Sequence, residues 1–115
     1  MVDHRFDEYR KHCDWIQKYI FPGGLLPSIR EVASVCAADT RLGVVALEDR
    51  ALDYGRTLLA WRRTFFDRLD QVRDLGFDDR FIRMWEYYLA TCEAAFRTRN
   101  LGLGHFVLAR AGDDL

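Results

Sequence analysis

Apolar residues recur every three or four positions in the first part of the chain, and this spacing is typical of amphipathic α-helices. One such stretch covers residues 5–20 and ends at the turn sequence PGG, residues 22–24. A second, shorter stretch covers about residues 29–37, where Ser28 and Glu31 have the spacing of a capping box. We therefore expect one amphipathic helix before the turn and a capped helix after it.

Two longer helical stripes and two strand-like runs follow. The first stripe runs over residues 53–75 and ends at Gly76, which is in the position that favours a left-handed helix cap. The second stripe runs over residues 78–98. The apolar runs at residues 42–47 and 101–110 predict β-strands, the first of them short and buried.

A sheet of two strands is unusual in a stable domain. An isolated pair of strands is marginal in water, and its unpaired edges favour pairing with another strand. The pattern therefore predicts a piece of a larger α/β sheet, or a domain that completes its sheet with a partner.

Composition narrows the class of protein. Of the 115 residues, 50% are hydrophobic and 14% are aromatic, which is typical of one packed domain and not of a disordered chain. The 17 basic and 18 acidic residues give a net charge of -1, so the chain has no overall positive electrostatic field that would attract a nucleic-acid backbone. We expect no nucleic-acid partner.

The cysteines and histidines predict neither a metal site nor a disulfide framework. Cys13, Cys36 and Cys92 are far apart, and the histidines have no carboxylate or cysteine at ligand spacing. No run approaches the roughly 20 apolar residues of a membrane span, and the first residues have no apolar signal core. These features predict a cytoplasmic protein, at most peripheral to a membrane.

Three motifs carry a family resemblance: WIQKYIFPGGLLPS, DYGRTLLAW and FIRMWEYYLATCEAAFRTRNLGLGHFVL. In this order and at these separations they resemble the C-terminal part of the cyclopropane-fatty-acid synthase family, which includes the mycolic acid cyclopropane synthases. The resemblance implies an α/β fold, the C-terminal portion of a class I, Rossmann-like methyltransferase with about four helices and two sheet-edge strands. Residues 1–115 would be the lipid-acceptor side of that domain, without its cofactor-binding half.

The resemblance also implies a reaction. Enzymes of this family transfer a methyl group from S-adenosylmethionine to the double bond of a lipid acyl chain. The alkene attacks the activated methyl group, and a bound bicarbonate ion then removes a proton from the resulting cation so that the ring closes. The implied partner is an unsaturated phospholipid or fatty acyl chain, and the product is left open among a cyclopropane, a methyl branch and an oxygenated group.

Two catalytic residues carry over from the family motifs. Tyr54, in DYGRTL, corresponds to the tyrosine whose hydroxyl helps to hold the bicarbonate ion, and Cys92, in YYLATC, corresponds to a cysteine near the same ion. From spacing alone, Tyr54 fits the core stripe of its helix and Cys92 is equally a small buried hydrophobe. No neighbour in the sequence activates the thiol, so we predict no nucleophilic role for it.

The turn between the first two predicted helices is apolar, and the resemblance places it beside the acceptor pocket. Its apolar side chains are predicted to form a wall or lid for an acyl chain. The predicted substrate-binding residues, which include one tyrosine of the aromatic helix, are Tyr19, Phe21, Gly23, Gly24, Leu25 and Tyr88.

The cofactor site of the family is missing from this sequence. Such enzymes hold the cofactor on a glycine-rich strand-to-helix turn, whereas Gly102 and Gly104 lead into a predicted strand. The family's N-terminal cysteine, its glutamate and its histidine precede the matched region, and His4 is not assigned that role. We therefore expect a C-terminal fragment or split subunit, inactive alone, whose S-adenosylmethionine is bound by a missing N-terminal half.

Two alternatives remain at this stage. One is a stand-alone helical interaction module that uses its apolar faces for self-association. The other is the acceptor side of a small-amine N-methyltransferase, because enzymes of that kind share the turn pattern F-x-G-G-x-x-P-S.

Overall fold

A computed structural model of the chain describes residues 1–110 and 112, which form six α-helices and two β-strands. The predicted α/β class and the two strands are confirmed, with six helices instead of about four. The elements in chain order are α1 (Asp3–Tyr9), α2 (Trp15–Tyr19), α3 (Ile29–Asp39), β1 (Leu42–Asp49), α4 (Ala51–Asp67), α5 (Leu69–Asp74), α6 (Asp79–Arg97) and β2 (Gly104–Arg110).

The single helix predicted over residues 5–20 is wrong, because residues 10–14 separate α1 from α2. Asp14 begins α2 with a capping box. Its carboxylate accepts a hydrogen bond from the Gln17 N–H at 2.7 Å, and its own N–H donates to Gln17 Oε1 at 2.9 Å. The cap holds Asp14 in an extended conformation, so a helix cannot continue through this residue.

The helix predicted over residues 53–75 is also divided in two. The Arg68 N–H donates to the Phe65 carbonyl, three residues back, at 3.2 Å, and this irregular turn separates α4 from α5. The predicted cap at Gly76 is confirmed. Its φ is +92°, in the left-handed region, and its N–H donates to the Arg73 carbonyl at 2.8 Å.

Side-chain caps fix the starts of α3 and α6. Ser28 Oγ accepts from the Glu31 N–H at 3.2 Å, as the sequence predicts, and Asp78 accepts from the Phe81 N–H at 2.9 Å. The Glu31 carboxylate faces Arg30 Nε at 3.8 Å and does not complete the predicted capping box. One half of that motif is therefore confirmed.

The core lies between α4 and α6. Leu58 of α4 is fully buried at its centre. The two helices approach closely at Gly55, where a Cβ atom would lie 3.2 Å from Arg97 Cγ and 3.8 Å from the Glu93 carbonyl oxygen. The buried members of the cluster are Ala51, Leu58, Leu89, Cys92 and Phe96.

The last strand begins later than the sequence predicts, at Gly104 instead of residue 101. Leu101 and Leu103 pack against the core cluster, and the Leu103 carbonyl accepts from the Arg50 N–H at 2.7 Å. These contacts hold the segment beside the start of α4, where it does not pair with β1.

The two strands form an antiparallel pair, from Leu42 opposite Arg110 to Asp49 opposite Gly104, with an irregular register between Val44 and Ala46. The prediction that β1 is buried is wrong: every residue of the strand after Leu42 is exposed. α3 packs against β1 but does not cover it. A strand is buried on both faces only when further layers cover the sheet.

The chain is extended for its length. Its radius of gyration is 17.6 Å, whereas a compact domain of this size has a radius of about 13 Å. Large apolar side chains are exposed in the turn before α3 and along β1. The helical core is therefore well packed while the sheet and the turn are largely uncovered.

Leu58→Ala should lower the free energy of unfolding by about 2–5 kcal/mol, because it leaves a cavity at the centre of the α4–α6 contact. Leu75→Ala is the matched control, since Leu75 is 76% exposed, and it should change stability by less than about 0.5 kcal/mol. Urea unfolding followed by circular dichroism measures both. Equal effects of the two substitutions would contradict this account of the core.

Candidate functional site

The two predicted catalytic residues lie in one apolar cluster. Tyr54 is in the first turn of α4, and Cys92 is on α6, one turn after Tyr88. Cys92 is a buried member of the core cluster, and the two half-buried tyrosines pack against that cluster. The α4–α6 contact thus brings Tyr54 into the same cluster as Tyr88 and Cys92, which follow it by more than thirty residues in the sequence.

Edge-to-face aromatic contacts fix both tyrosine rings. The Tyr54 ring meets Phe96 at 4.8 Å between centroids, with an interplanar angle of 79°. The Tyr88 ring meets Trp85 at 5.4 Å and Phe21 at 5.7 Å. Such contacts hold the rings in defined orientations, so each hydroxyl has a defined position.

Neither hydroxyl is used by the protein itself. Among residues 1–110 and 112, no side chain or backbone group forms a hydrogen bond with the hydroxyl of Tyr54 or Tyr88. Half-buried hydroxyls usually have a partner. The two groups are therefore available to a bound molecule.

Burial and neighbouring charge keep Tyr88 and Cys92 protonated at neutral pH. Burial, and then the nearby ionisable Cys92 and Tyr54, raise the pKa of Tyr88 to about 12. Burial, and then the negative charge of Asp14, raise the pKa of the Cys92 thiol to about 11. At neutral pH these groups can donate hydrogen bonds to an anion but cannot accept a proton, and the thiol is not a nucleophile.

The turn before α3 is built around its glycines. Gly23 has φ +80°, and the Gly24 N–H donates to the Phe21 carbonyl at 2.9 Å. Gln17 Nε2 donates to the Gly24 carbonyl at 2.8 Å, which ties the turn to α2. This arrangement places the Phe21 ring against Tyr88.

The predicted substrate-binding residues are brought together only in part. Phe21 and Tyr88 are in contact, and Gly23 and Gly24 shape the turn that allows it. Tyr19 packs on Trp15 instead, at 5.6 Å, and the side chain of Leu25 is 53% exposed. Their role toward a substrate stays a prediction.

A cavity of about 780 Å³ lies on the other side of Tyr54. Apolar side chains such as Leu47 and Phe106 line it, and Asp49 and Arg99 give it a polar edge. Asp49 accepts from the Ala51 N–H at 2.8 Å and pairs with Arg99, and these bonds lower the pKa of the Asp49 carboxyl. Cys92 and Phe21 do not line this cavity, so Tyr54 lies between two distinct apolar regions.

The sequence also resembles that of a known protein family over most of its length. The sequence model of the mycolic acid cyclopropane synthetase family matches residues 1–106. The chain belongs to this family. The resemblance carried by the three motifs is therefore confirmed.

Two curated relatives show how much of such proteins is present here. The tuberculostearic acid methyltransferase UfaA1 of Mycobacterium tuberculosis is 44% identical over 112 residues, which are 97% of this chain and 26% of that protein. The cyclopropane-fatty-acyl-phospholipid synthase of Escherichia coli is 38% identical over 96 residues, 84% of this chain and 24% of that protein. The chain spans about a quarter of the length of these relatives.

Solved structures confirm the predicted fold class. The crystal structure of the mycolic acid cyclopropane synthase CmaA1 complexed with SAH and CTAB matches 91% of this chain and 35% of its own, with a TM-score of 0.76 and 27% identity. The apo form of the same protein matches 90% of this chain with a TM-score of 0.70. The fold described here is thus a portion of a cyclopropane synthase fold.

Gly104, the first residue of β2, does not fit a cofactor site, whereas the space beside Gly102 is open. A Cβ atom at Gly104 would lie 2.9 Å from Leu47 Cδ1 and 3.0 Å from Phe106 Cε2. The space beside this glycine is therefore filled by the chain's own side chains, where a nucleotide-binding glycine leaves room for phosphate. Residues 1–110 and 112 also contain no cluster of His, Cys, Asp or Glu that could hold a metal ion.

No helix in the described part of the chain is long and apolar enough to cross a membrane.

Phe96 is a site residue that the sequence analysis does not identify. Its ring supports Tyr54, and it lies four residues after Cys92 on the buried face of α6. Extending the stripe from Cys92 by one turn of helix would have found it.

Stability should fall at high pH, and Tyr88 should contribute to the fall. The pKa of Tyr88 is about 12 in the folded chain, against an ordinary value of 10.0, so the unfolded chain loses the proton first as pH rises. The contribution of Tyr88 to the free energy of unfolding is complete below pH 10 and is lost as pH rises to about 12. Tyr88→Phe should therefore lose less stability over this interval than the wild type.

The control is Tyr87→Phe, which removes the hydroxyl of the neighbouring tyrosine, a residue that is 54% exposed. Urea unfolding at closely spaced pH values should give this variant the wild-type slope. The same slope in Tyr88→Phe as in the wild type would show that the Tyr88 hydroxyl is not shielded by the core.

Proposed function

We propose that this chain forms the acceptor side of an S-adenosylmethionine-dependent methyltransferase that modifies the double bond of a fatty acyl chain. The observation that carries the proposal is the cluster of Tyr54, Tyr88 and Cys92, in which neutral hydrogen-bond donors lie in apolar surroundings. The names of the relatives, a tuberculostearic acid methyltransferase and a cyclopropane-fatty-acyl-phospholipid synthase, support the lipid acceptor.

The proposed catalytic role of Tyr54 follows from its hydroxyl, which has no hydrogen-bond partner among residues 1–110 and 112. That hydroxyl donates a hydrogen bond to a bicarbonate ion and holds it beside the acyl chain, with Cys92 close to the same ion. Bicarbonate supplies the base that accepts the proton released from the acyl chain. The residues of the cluster keep that region dry, which strengthens each hydrogen bond to the anion.

The acceptor chain is proposed to lie along the aromatic face that Phe21 and Tyr88 form. Gly23 and Gly24 keep the turn narrow enough for Phe21 to reach Tyr88. The CmaA1 structure contains CTAB, a lipid-like detergent, and this supports an acyl site in the shared fold. The exposed side chains of Tyr19 and Leu25 extend this apolar face outward, toward a peripheral contact with the cytoplasmic side of a membrane.

The cofactor is proposed to bind outside residues 1–115, either in further residues of the same chain or in a separate polypeptide that supplies the N-terminal half. The filled space at Gly104, the exposed strands and the extended shape support this assignment. The SAH in the CmaA1 complex supports the identity of the cofactor. Residues 1–115 alone are then inactive.

Isolated residues 1–115 should show no measurable binding of S-adenosylmethionine in isothermal titration. We expect a Kd weaker than about 1 mM, which corresponds to a binding free energy of at most about 4 kcal/mol. The physical reason is that Leu47 and Phe106 fill the space beside Gly104, where a nucleotide-binding glycine leaves room for phosphate. The complex of the chain with its cofactor-binding part is the positive control. A micromolar Kd for the isolated chain would overturn the proposed division of the site.

Joined to that cofactor-binding part, the chain should transfer labelled methyl groups from S-adenosylmethionine to vesicles of unsaturated phospholipid. Tyr54→Phe removes the hydroxyl and keeps the ring on Phe96, so it should lower kcat by about 100-fold. Added bicarbonate should stimulate the wild type and leave Tyr54→Phe unchanged. Tyr87→Phe is the matched control and should retain activity.

Other outcomes of this assay separate the remaining alternatives. Transfer to small amines but not to vesicles would favour an N-methyltransferase acceptor site. No transfer to either acceptor, together with a concentration-dependent dimer of the isolated chain in sedimentation, would favour an interaction module. Full activity of Tyr54→Phe would remove Tyr54 from the site.

A further inference from the structure

A buried carboxylate links the two core helices beside Cys92. The side chain of Glu93, on α6, is only 11% exposed. Its Oε2 accepts from Arg62 Nη2 of α4 at 3.0 Å, and its Oε1 accepts from Arg97 Nε, one turn further along α6, at 2.9 Å. Glu93 therefore makes one ion pair between helices and one within its own helix.

The ion pair between helices lies on the same stripe as the predicted catalytic tyrosine. Tyr54, Leu58 and Arg62 follow one another at four-residue intervals on α4, so they share the face that meets α6. Leu58 is fully buried between the two ends of this stripe. At one end the Tyr54 ring packs on Phe96.

At that end the helices approach closely at Gly55, where no side chain interlocks them. The carbonyl oxygen of Glu93 and the side-chain stem of Arg97 lie directly over Gly55, the residue after Tyr54. The glycine allows this close approach but offers no side chain that would set the relative position of the helices. The directional bond from Arg62 to Glu93 supplies that constraint at the other end of the stripe.

We propose that Glu93 is a positioning residue: through Arg62 it fixes α4 against α6 and so sets the place of Tyr54 relative to Cys92. The catalytic consequence rests on the function proposed above, whereas the positioning itself does not. Glu93 is assigned no contact with substrate or cofactor.

The surroundings of Arg62 indicate that its ion pair with Glu93 aligns the two helices and adds little to folding stability. Arg62 Nε is buried and has no hydrogen-bond acceptor among residues 1–110 and 112, which is unfavourable for folding. Buried ion pairs often add little stability compared with apolar side chains of the same size, but their hydrogen bonds have fixed directions. A pair kept at this cost is well suited to holding two helices in one alignment.

The first experiment labels cysteines in the purified chain and needs no enzyme activity. Glu93→Gln and Arg62→Gln should each make Cys92 react with iodoacetamide about tenfold faster, because each weakens the charged bond between the helices. Cys36, buried on α3, is an internal reference and should change less than about twofold, since a local opening leaves it covered. Peptide mass spectrometry separates the two sites.

Arg97→Gln is the matched control. Arg97 contacts the same carboxylate but from within α6, and glutamine keeps the side-chain stem that packs on Gly55. Its labelling rates should equal those of the wild type. Parallel rises at Cys92 and Cys36 would mean general destabilisation and would overturn the proposal, as would unchanged rates in both Glu93→Gln and Arg62→Gln.

The second experiment uses the chain joined to its cofactor-binding part, with S-adenosylmethionine and unsaturated phospholipid vesicles. Glu93→Gln should lower kcat by about 10- to 100-fold with little change in KM. The reason is that a displaced Tyr54 hydroxyl is misaligned for the reaction, whereas binding of the substrate does not depend on its exact position. In the Tyr54→Phe background the same substitution should have no further effect, and Arg62→Lys should restore part of the activity that Arg62→Gln loses.

Additive losses from Glu93→Gln and Tyr54→Phe would overturn the catalytic consequence. An inactive wild-type complex would instead contradict the proposed function, and the labelling result would then decide the positioning role by itself. The two failures are therefore distinguishable.

Discussion

The contact between α4 and α6 is the interaction on which the other parts of the structure depend. Leu58 fills its centre, Gly55 allows the helices to approach, and Glu93 with Arg62 holds them together at the far end. The Tyr54 ring packs between Trp61 of its own helix and Phe96 of the other helix. When the residues of a site lie on two helices, the distances between them are set by how tightly and uniquely the helices pack.

The contact between α4 and α6 does not cover the two-stranded sheet. β1 and β2 pair through their backbones, yet residues such as Val45 and Val107 are exposed to solvent. Hydrogen bonds of a two-stranded ribbon add little net stability in water, and most of the stability of a sheet comes from the layers that cover it. The ribbon is therefore the part of the fold that would gain most stability from a covering layer.

The sequence predicted the features that depend on local chemistry. The stop at Gly76, the cap at Ser28 and the two strands all follow from single residues or short runs. It failed in two ways: one local signal was passed over, and one nonlocal effect could not be seen. The apolar spacing of a helix continues across Asp14, so spacing alone does not show that the Asp14 capping box starts a new helix. The exposure of β1 depends on whether other layers cover the sheet, and the residues of the strand do not contain that information.

The candidate site was predictable to a similar degree. Tyr54 and Cys92 came from the family motifs, and their shared cluster followed once the two helices were packed. Glu93 was not predicted, because a single carboxylate on a charged helix gives no sign in the sequence that it is buried. The role of Arg62 was not predicted either, because its partner is 31 residues away in the sequence.

The pairing of β1 with β2 has a consequence for how the chain folds. The strand pair joins residues 42–49 to residues 104–110, and the chain between them is mostly helical. Closing so long a loop from a disordered chain costs conformational entropy, whereas a preformed pair of helices already brings the two ends together. The bond from Arg50 to Leu103, between the first residue before α4 and the segment after α6, marks that meeting point. This topology favours formation of the helix pair before the ribbon, with strand pairing starting at the Asp49 end, next to the helices.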